Sequence, residues 1–540
     1  MTVADPSPTP RFWPWAVVWA ALFAVAHTQS PDYYSNQHQY YLHGFAQAGV
    51  GHLDQDWLAN TKDPTPAYSR FVAATYRHAG PWAFQAIYFV LLGVYFEAVR
   101  RLVGALPGFP SGGPARLLFL TLFVAAHAAI LRVASVRLTG VDYPWFLQAG
   151  VAAQYLLGPG FQPSAFGVLL IASLAAYVLN RPVLASVLAA ATAAMHTTYL
   201  LPAGFLTLGY VVVALREGRV LRGLIGGLLA LAIVAPVIWY TYDTFTAENH
   251  DQYLEAQWVL VNERIPHHAV VERWWDAVAG VQCGLMVVAL WLVRNTRLFP
   301  VLAIATSGCV TLTLVQLRVN SPTLALIFPW RLSAVLMPIA TAIILGKAAM
   351  LVAGRAGPLR PPARPAWAFS VVGAALAAGG VAVYVFELGY STNDAEVGLL
   401  NYVSDHKKPG DVYLLPVKFP TLKKEVPASQ SKTFAPPVRV GAVGIPVDLQ
   451  RFRLWTGAPI YVDFKAPPYA TEEVFEWKRR MKECEKWYAQ RDWDSPEIWR
   501  EVKLAGITHV VATADKDVTS AALQEVYRDE SYRLYRIRTD

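Results

Sequence analysis

Through the first 386 residues, apolar runs of membrane length recur, separated by short polar segments. A bilayer core needs about 20 apolar residues in a helix, and this pattern predicts ten to twelve spans, eleven preferred. They fall near 12–30, 80–99, 116–136, 163–180, 183–197, 199–215, 223–241, 277–293, 298–317, 323–346 and 366–386. The stretch 143–161, YPWFLQAGVAAQYLLGPGF, is apolar but short, with Pro144 and Pro159 near its ends. It predicts a re-entrant or interfacial helix, or a further span. Beyond residue 386 the pattern changes. Short apolar strands at 411–415, 460–464, 508–513 and 532–537 alternate with polar helices at 394–406, 471–490 and 495–505. The expected fold is therefore a polytopic α-helical membrane domain over 1–386, with an α/β domain over 387–540, its sheet mixed. The segment 416–450, rich in Pro, Gly and Lys, is expected to be a loop bordering the site.

The charge distribution sharpens this division. Residues 387–540 hold 46 charged positions in 154, whereas residues 1–386 hold 38 in 386. The net charge of +8 belongs wholly to the first part, because the last 154 residues carry equal numbers of acids and bases. A 55% hydrophobic chain excludes disorder, and three scattered cysteines exclude a disulfide scaffold. Basic residues cluster in four short loops: Arg100, Arg101 and Arg116; Arg216, Arg219 and Arg222; Arg294 and Arg297; Lys347, Arg355, Arg360 and Arg364. With eleven spans all four fall on the side of the N-terminus, which the positive-inside rule makes cytoplasmic. The excess charge is then topology rather than affinity for nucleic acid. The expected location is the inner (plasma) membrane of a bacterium, with the C-terminal domain extracytoplasmic.

Two long loops fall on the outer side. The first, 31–79, carries Asp32 and the DxD pair Asp54 and Asp56; its residues 34–48 have the spacing of an interfacial helix anchored by Tyr33, Tyr34, Tyr40 and Tyr41. The second, 242–276, carries Arg264 and the pair His267 and His268. Arg331 lies inside the outer end of the tenth span, where a cation must face a cavity or an anion. Acids outside a membrane with arginines at the same depth suit transfer from a lipid-linked phosphate donor. A carboxylate activates the acceptor hydroxyl, and arginines stabilise the departing phosphate. The pair His267 and His268, with nearby carboxylates, leaves room for a divalent metal, although adjacent histidines point in different directions.

On these features the chain resembles the GT-C superfamily of integral-membrane glycosyltransferases. The resemblance runs through the first span and its acidic loop (Asp32-Tyr33), the stretches LDQDWLANTKDPTPAYS (53–69), GFQPSAFGVLLIASLAAYVLNRPVLASVLAAATAAMHTTYLLP (160–202) and RIPHH (264–268), and the final outside domain. It implies an inverting transfer of a sugar from a polyprenyl-phosphate donor to an extracytoplasmic lipid, glycan or protein. In that family an acid early in the first outside loop serves as base or positions the acceptor, which by position is Asp32, or else Asp56 or Asp54. Arg331, Arg264, His267 and His268 are the expected phosphate and substrate contacts. The rivals are a transporter or flippase for a lipid-linked or polar solute, and a GT-C-like protein without activity. Transporters favour internal repeats and ionisable groups near the midplane, and neither pattern is visible in the sequence.

Overall fold

The structure, a computed structural model, describes residues 13–111, 113–355, 364–390, 392–420, 448–489, 493–516, 518 and 520–538. A helix stands at each predicted apolar run, but the helices are not uniform. Among the described residues six are long and apolar enough to cross a membrane: Trp82–Gly104, Thr197–Arg216, Val220–Phe245, Leu298–Val319, Pro322–Gly354 and Trp367–Val385. Gly113–His127 and Ala129–Thr139 form a broken pair bent by 57°, because Ala128 is extended and interrupts the helical ladder. Four others, Pro14–His27, Pro163–Val178, Pro182–Met195 and Ala277–Leu292, are apolar but shorter. Pro163 and Pro182 occupy helix starts, where a missing N–H costs nothing. The chain is thus a multi-pass membrane protein. On its lipid-facing surface Val220–Phe245 leaves Leu221, Leu228 and Trp239 more than three-fifths exposed, an arrangement that water would penalise and hydrocarbon does not.

Two predicted elements differ from expectation. The 143–161 stretch forms no span-length helix: Tyr143–Phe146 is one turn and Val151–Ala153 a short 3-10 turn. Ala152 and Ala153 both take positive φ, which no continuous helix tolerates. Residues 34–48 do not lie as one helix on an interface. They form Gln37–Tyr40 and Leu42–Ala48, with Tyr41, Leu42 and Phe45 buried in the bundle core. Tyr41 is held inward by its hydroxyl, which donates to the Phe161 carbonyl at 3.0 Å.

The C-terminal residues build a four-stranded mixed sheet of β1 (Tyr413–Leu414), β2 (His509–Thr513), β3 (Leu523–Arg528) and β4 (Tyr532–Ile537), in the order β1-β2-β4-β3. β1 runs parallel to β2, while β4 is antiparallel to both β2 and β3. The strand expected at 460–464 reduces to a single bridge between Ile460 and Tyr413. β3 was not expected: it is an edge strand whose Gln524 and Glu525 face solvent, so it lacks the apolar signature of its neighbours. Helix Thr471–Ala489 buries Val474, Trp477, Met481, Cys484 and Trp487, the three-and-four spacing of an amphipathic helix. Of the loop expected at 416–450, residues 421–447 lie outside the described residues.

The sheet unit is packed onto the long loops of the bundle. Ala256, Val259 and Leu260 of the second loop belong to its core cluster. Gly51 and Gly457, both at positive φ, meet backbone to backbone: His52 N–H donates to the Gly457 carbonyl at 2.8 Å, and a Cβ on Gly51 would stand 2.3 Å from that oxygen. Only glycine fits both demands.

Candidate anion-binding site

A cavity of about 310 Å³ opens where the bundle meets the sheet unit, at the lower end of ligand-pocket sizes of about 300–1,000 Å³. Four segments build its charged wall. Arg264 closes a short π-helical turn, Leu260–Arg264, in which Ile265 N–H reaches back to the Leu260 carbonyl; Pro266 then ends the turn. Such π turns often mark functional positions. His267 and His268 follow on the next turn. Arg331 lies in the 3-10 turn Pro329–Leu332, entered through Phe328 at φ 48°. This break in the 322–354 helix, enforced by Pro329 and the left-handed Phe328, turns Arg331 toward the cavity. Lys465 reaches in from the sheet unit. Ala153, Gln154 and Tyr155 of the irregular 143–161 segment supply the fourth wall.

The electrostatics are one-sided. Arg264, Arg331 and Lys465 line the cavity, and no Asp or Glu does so among the described residues. None of the three is ion-paired among the described residues. The Nε atoms of Arg264 and Arg331 are buried without a hydrogen-bond partner. Arg264 packs over the Phe464 ring at 5.1 Å and Arg331 over the Tyr199 ring at 5.0 Å, contacts that orient a guanidinium without neutralising it. Burial drives His267 well below its usual range and His268 to about 4, where the bond from its ring to the Ala152 carbonyl (2.7 Å) is outweighed by desolvation. Both histidines are therefore neutral at physiological pH and add hydrogen-bonding capacity rather than charge. Desolvating unpaired cations costs several kcal/mol each. A cavity so lined is complementary to a buried anion, and guanidinium forks suit a phosphate in particular.

Asp32 lies beside a second, smaller cavity of about 160 Å³, lined also by His38, Asn393, Glu396, Arg451 and Lys465. Tyr33 (φ 59°) and Ser35 (φ 55°) flank this corner in left-handed backbone, a conformation that costs about 1–3 kcal/mol per residue and persists where the surroundings dictate it. Asp32 accepts one hydrogen bond among the described residues, from Gln85 Nε2 at 3.2 Å. Burial raises its carboxyl pKa above the usual range, and the Gln85 bond offsets only part of that. Asp32 and the arginines thus occupy neighbouring cavities with Lys465 common to both, rather than one shared cavity.

The DxD pair is not brought to either cavity. Asp54 sits exposed on the 3-10 turn Leu53–Gln55. Asp56 is fully buried and every bonding direction is taken: Oδ1 accepts from Leu58 and Ala59 N–H (2.9 and 3.3 Å), and Oδ2 from Arg453 Nε (2.8 Å) and Ile460 N–H (3.0 Å). A carboxylate so engaged has no lone pair left to offer, and Asp56 stands apart from both cavities. Its role is to anchor Arg453, whose Nη1 donates to Asp463 Oδ2 at 2.7 Å. Asp463 Oδ1 in turn accepts from the Lys465 and Ala466 N–H groups. Asp56 therefore props the turn that carries Lys465. Lys465 itself was missed in the sequence, where FKAPPY reads as an ordinary loop. Among the described residues no cluster of three or more His, Cys, Asp or Glu stands at metal-binding spacing.

Comparison with known proteins adds little to this chemistry. A domain of unknown function, DUF6798, matches residues 442–484, the segment that contains Arg453, Asp463 and Lys465. No curated protein sequence matches the chain. Two solved structures overlie nearly all of it. One is ArnT from Cupriavidus metallidurans bound to undecaprenyl phosphate, at 12% identity and TM-score 0.43, covering 97% of both chains. The other is the arabinofuranosyltransferase AftD from Mycobacteria, at 13% identity and TM-score 0.44, covering 99% of this chain and 42% of that one.

Proposed function

We propose that the protein is an inverting glycosyltransferase that moves a sugar from a polyprenyl-phosphate donor to an acceptor hydroxyl or amine on the extracytoplasmic side of the inner membrane. The observation that carries this reading is the cavity at the end of the apolar helices with three cations and no carboxylate. The donor phosphate sits among Arg264, Arg331 and Lys465, with His267 donating a hydrogen bond, while its isoprenoid tail runs along the apolar helices into the lipid; the one N–H of neutral His268 is spent on the Ala152 carbonyl. The walls at Phe245, Leu326 and Phe328 give the first isoprene units an apolar path. The acceptor occupies the neighbouring cavity, where Asp32 takes its proton. A carboxylate whose pKa is lifted by burial is a better base than an ordinary one, since its proton affinity lies closer to the working pH. Inversion follows from a single displacement at the sugar carbon, with acceptor and phosphate on opposite faces.

The test is transfer in membranes carrying the full chain, supplied with a panel of labelled polyprenyl-phosphate sugars. The wild type transfers from at least one donor. Asp32→Asn reduces kcat by about 10²–10⁴-fold, the worth of a positioned general base, and Arg331→Ala weakens donor use. Full activity in both variants would remove the assignment of these residues, and no transfer from any donor would favour a transport role.

A further inference from the structure

The two cavities meet at one side chain. Lys465 lines both, and its turn is fixed from two sides. Arg264 donates to its carbonyl, while the Asp56–Arg453–Asp463 chain holds its N–H. On the larger cavity it faces Arg264, His267, His268 and Tyr469; on the smaller one it faces Asp32, His38 and the Glu396–Arg451 pair. Asp463, on its own turn, is engaged by Arg453. No carboxylate pairs with its ammonium among the described residues.

We propose that Lys465 is the proton relay between the two cavities, returning the acceptor's proton to the departing phosphate. This rests on the donor and acceptor placement proposed above. The acceptor oxygen attacks the sugar carbon and its proton passes to the Asp32 carboxylate. The carbon–oxygen bond to the phosphate breaks, and its electron pair stays on the phosphate oxygen. The Lys465 ammonium gives that oxygen a proton and becomes an amine. The amine then recovers a proton from Asp32 through the cavity they share, so both groups return to their starting state. The other basic side chains of the phosphate cavity are unsuited to this. A guanidinium does not release its proton in this range, and His267 and His268 hold none to give near neutrality. Burial and the adjacent Arg264, in contrast, bring the Lys465 ammonium down to about 7, matched to a phosphate monoester.

The experiment is titration calorimetry of the full chain in phosphatidylethanolamine–phosphatidylglycerol nanodiscs with undecaprenyl phosphate as probe. It is run at pH 8 in two buffers of different ionisation enthalpy. In the wild type Lys465 is mostly neutral before binding and charged after it, so binding takes up about one proton. Lys465→Arg, permanently charged, binds the probe but takes up none, and Lys465→Met binds at least tenfold more weakly than Lys465→Arg. Equal proton uptake by wild type and Lys465→Arg overturns the relay while leaving the phosphate site intact. A wild type that does not bind the probe overturns the phosphate site and the relay together.

Discussion

Arg264 and Arg453 are buried alike, at 4% and 3% exposure, and stand on segments joined through the same Lys465 turn. Their ion pairing differs. Arg453 bridges two carboxylates, Asp56 and Asp463, at 2.8 and 2.7 Å. Arg264 faces a cavity with two further cations and no acid. A buried cation with its counter-charges built in is part of the scaffold; on the function proposed above, one without them takes its counter-charge from the donor phosphate. Burial and residue type are the same in both, so pairing alone separates the two.

The comparison breaks most readily at Asp56. Asp56→Ala leaves Arg453 with one partner in a water-excluded site, and removing one member of a buried pair costs about 3–5 kcal/mol. We expect that loss in denaturant unfolding of the purified protein; a loss below about 1 kcal/mol would mean the pair is not structural. Arg264→Ala is expected to show the reverse balance. Stability falls less than at Asp56, because relief of an unpaired buried charge offsets the lost bond to the Lys465 carbonyl and the Phe464 contact, while affinity for undecaprenyl phosphate falls by about 1.5–3 kcal/mol, the worth of hydrogen bonds to a charged group. The smallest effect is expected at Asp54, where Asp54→Asn changes stability by less than about 0.5 kcal/mol and leaves phosphate binding unaltered. A large loss of activity there would restore the DxD as a functional pair.

Much of the fold is legible because apolar runs and charge segregation are local signals. The helix positions, the sheet unit and helices such as Thr471–Ala489 follow from them. So does the meeting of Arg264, Arg331, His267 and His268, since each stands at the same end of an apolar run or in a loop on that side. What was hidden depends on distant partners. Asp54 and Asp56 look equivalent in LDQDW, yet one is solvated and the other sealed by Arg453, which is 397 positions away. The run 116–136 reads as one span, yet Ala128 breaks it into two helices without leaving any gap in the apolar pattern. Lys465 is the sharpest case. Its importance comes from a turn held by Arg264 and Asp463 and from two cavities that exist only once the sheet unit packs on the loops.

The central claim, that the unpaired cations await a lipid phosphate, is tested most directly by a cryo-EM structure of the full chain in nanodiscs saturated with undecaprenyl phosphate. The account predicts phosphate density in the larger cavity, within hydrogen-bond reach of Arg264, Arg331 and Lys465, with the chain leading away toward the apolar helices. An empty cavity at saturation, or a phosphate bound elsewhere on the molecule, would contradict it.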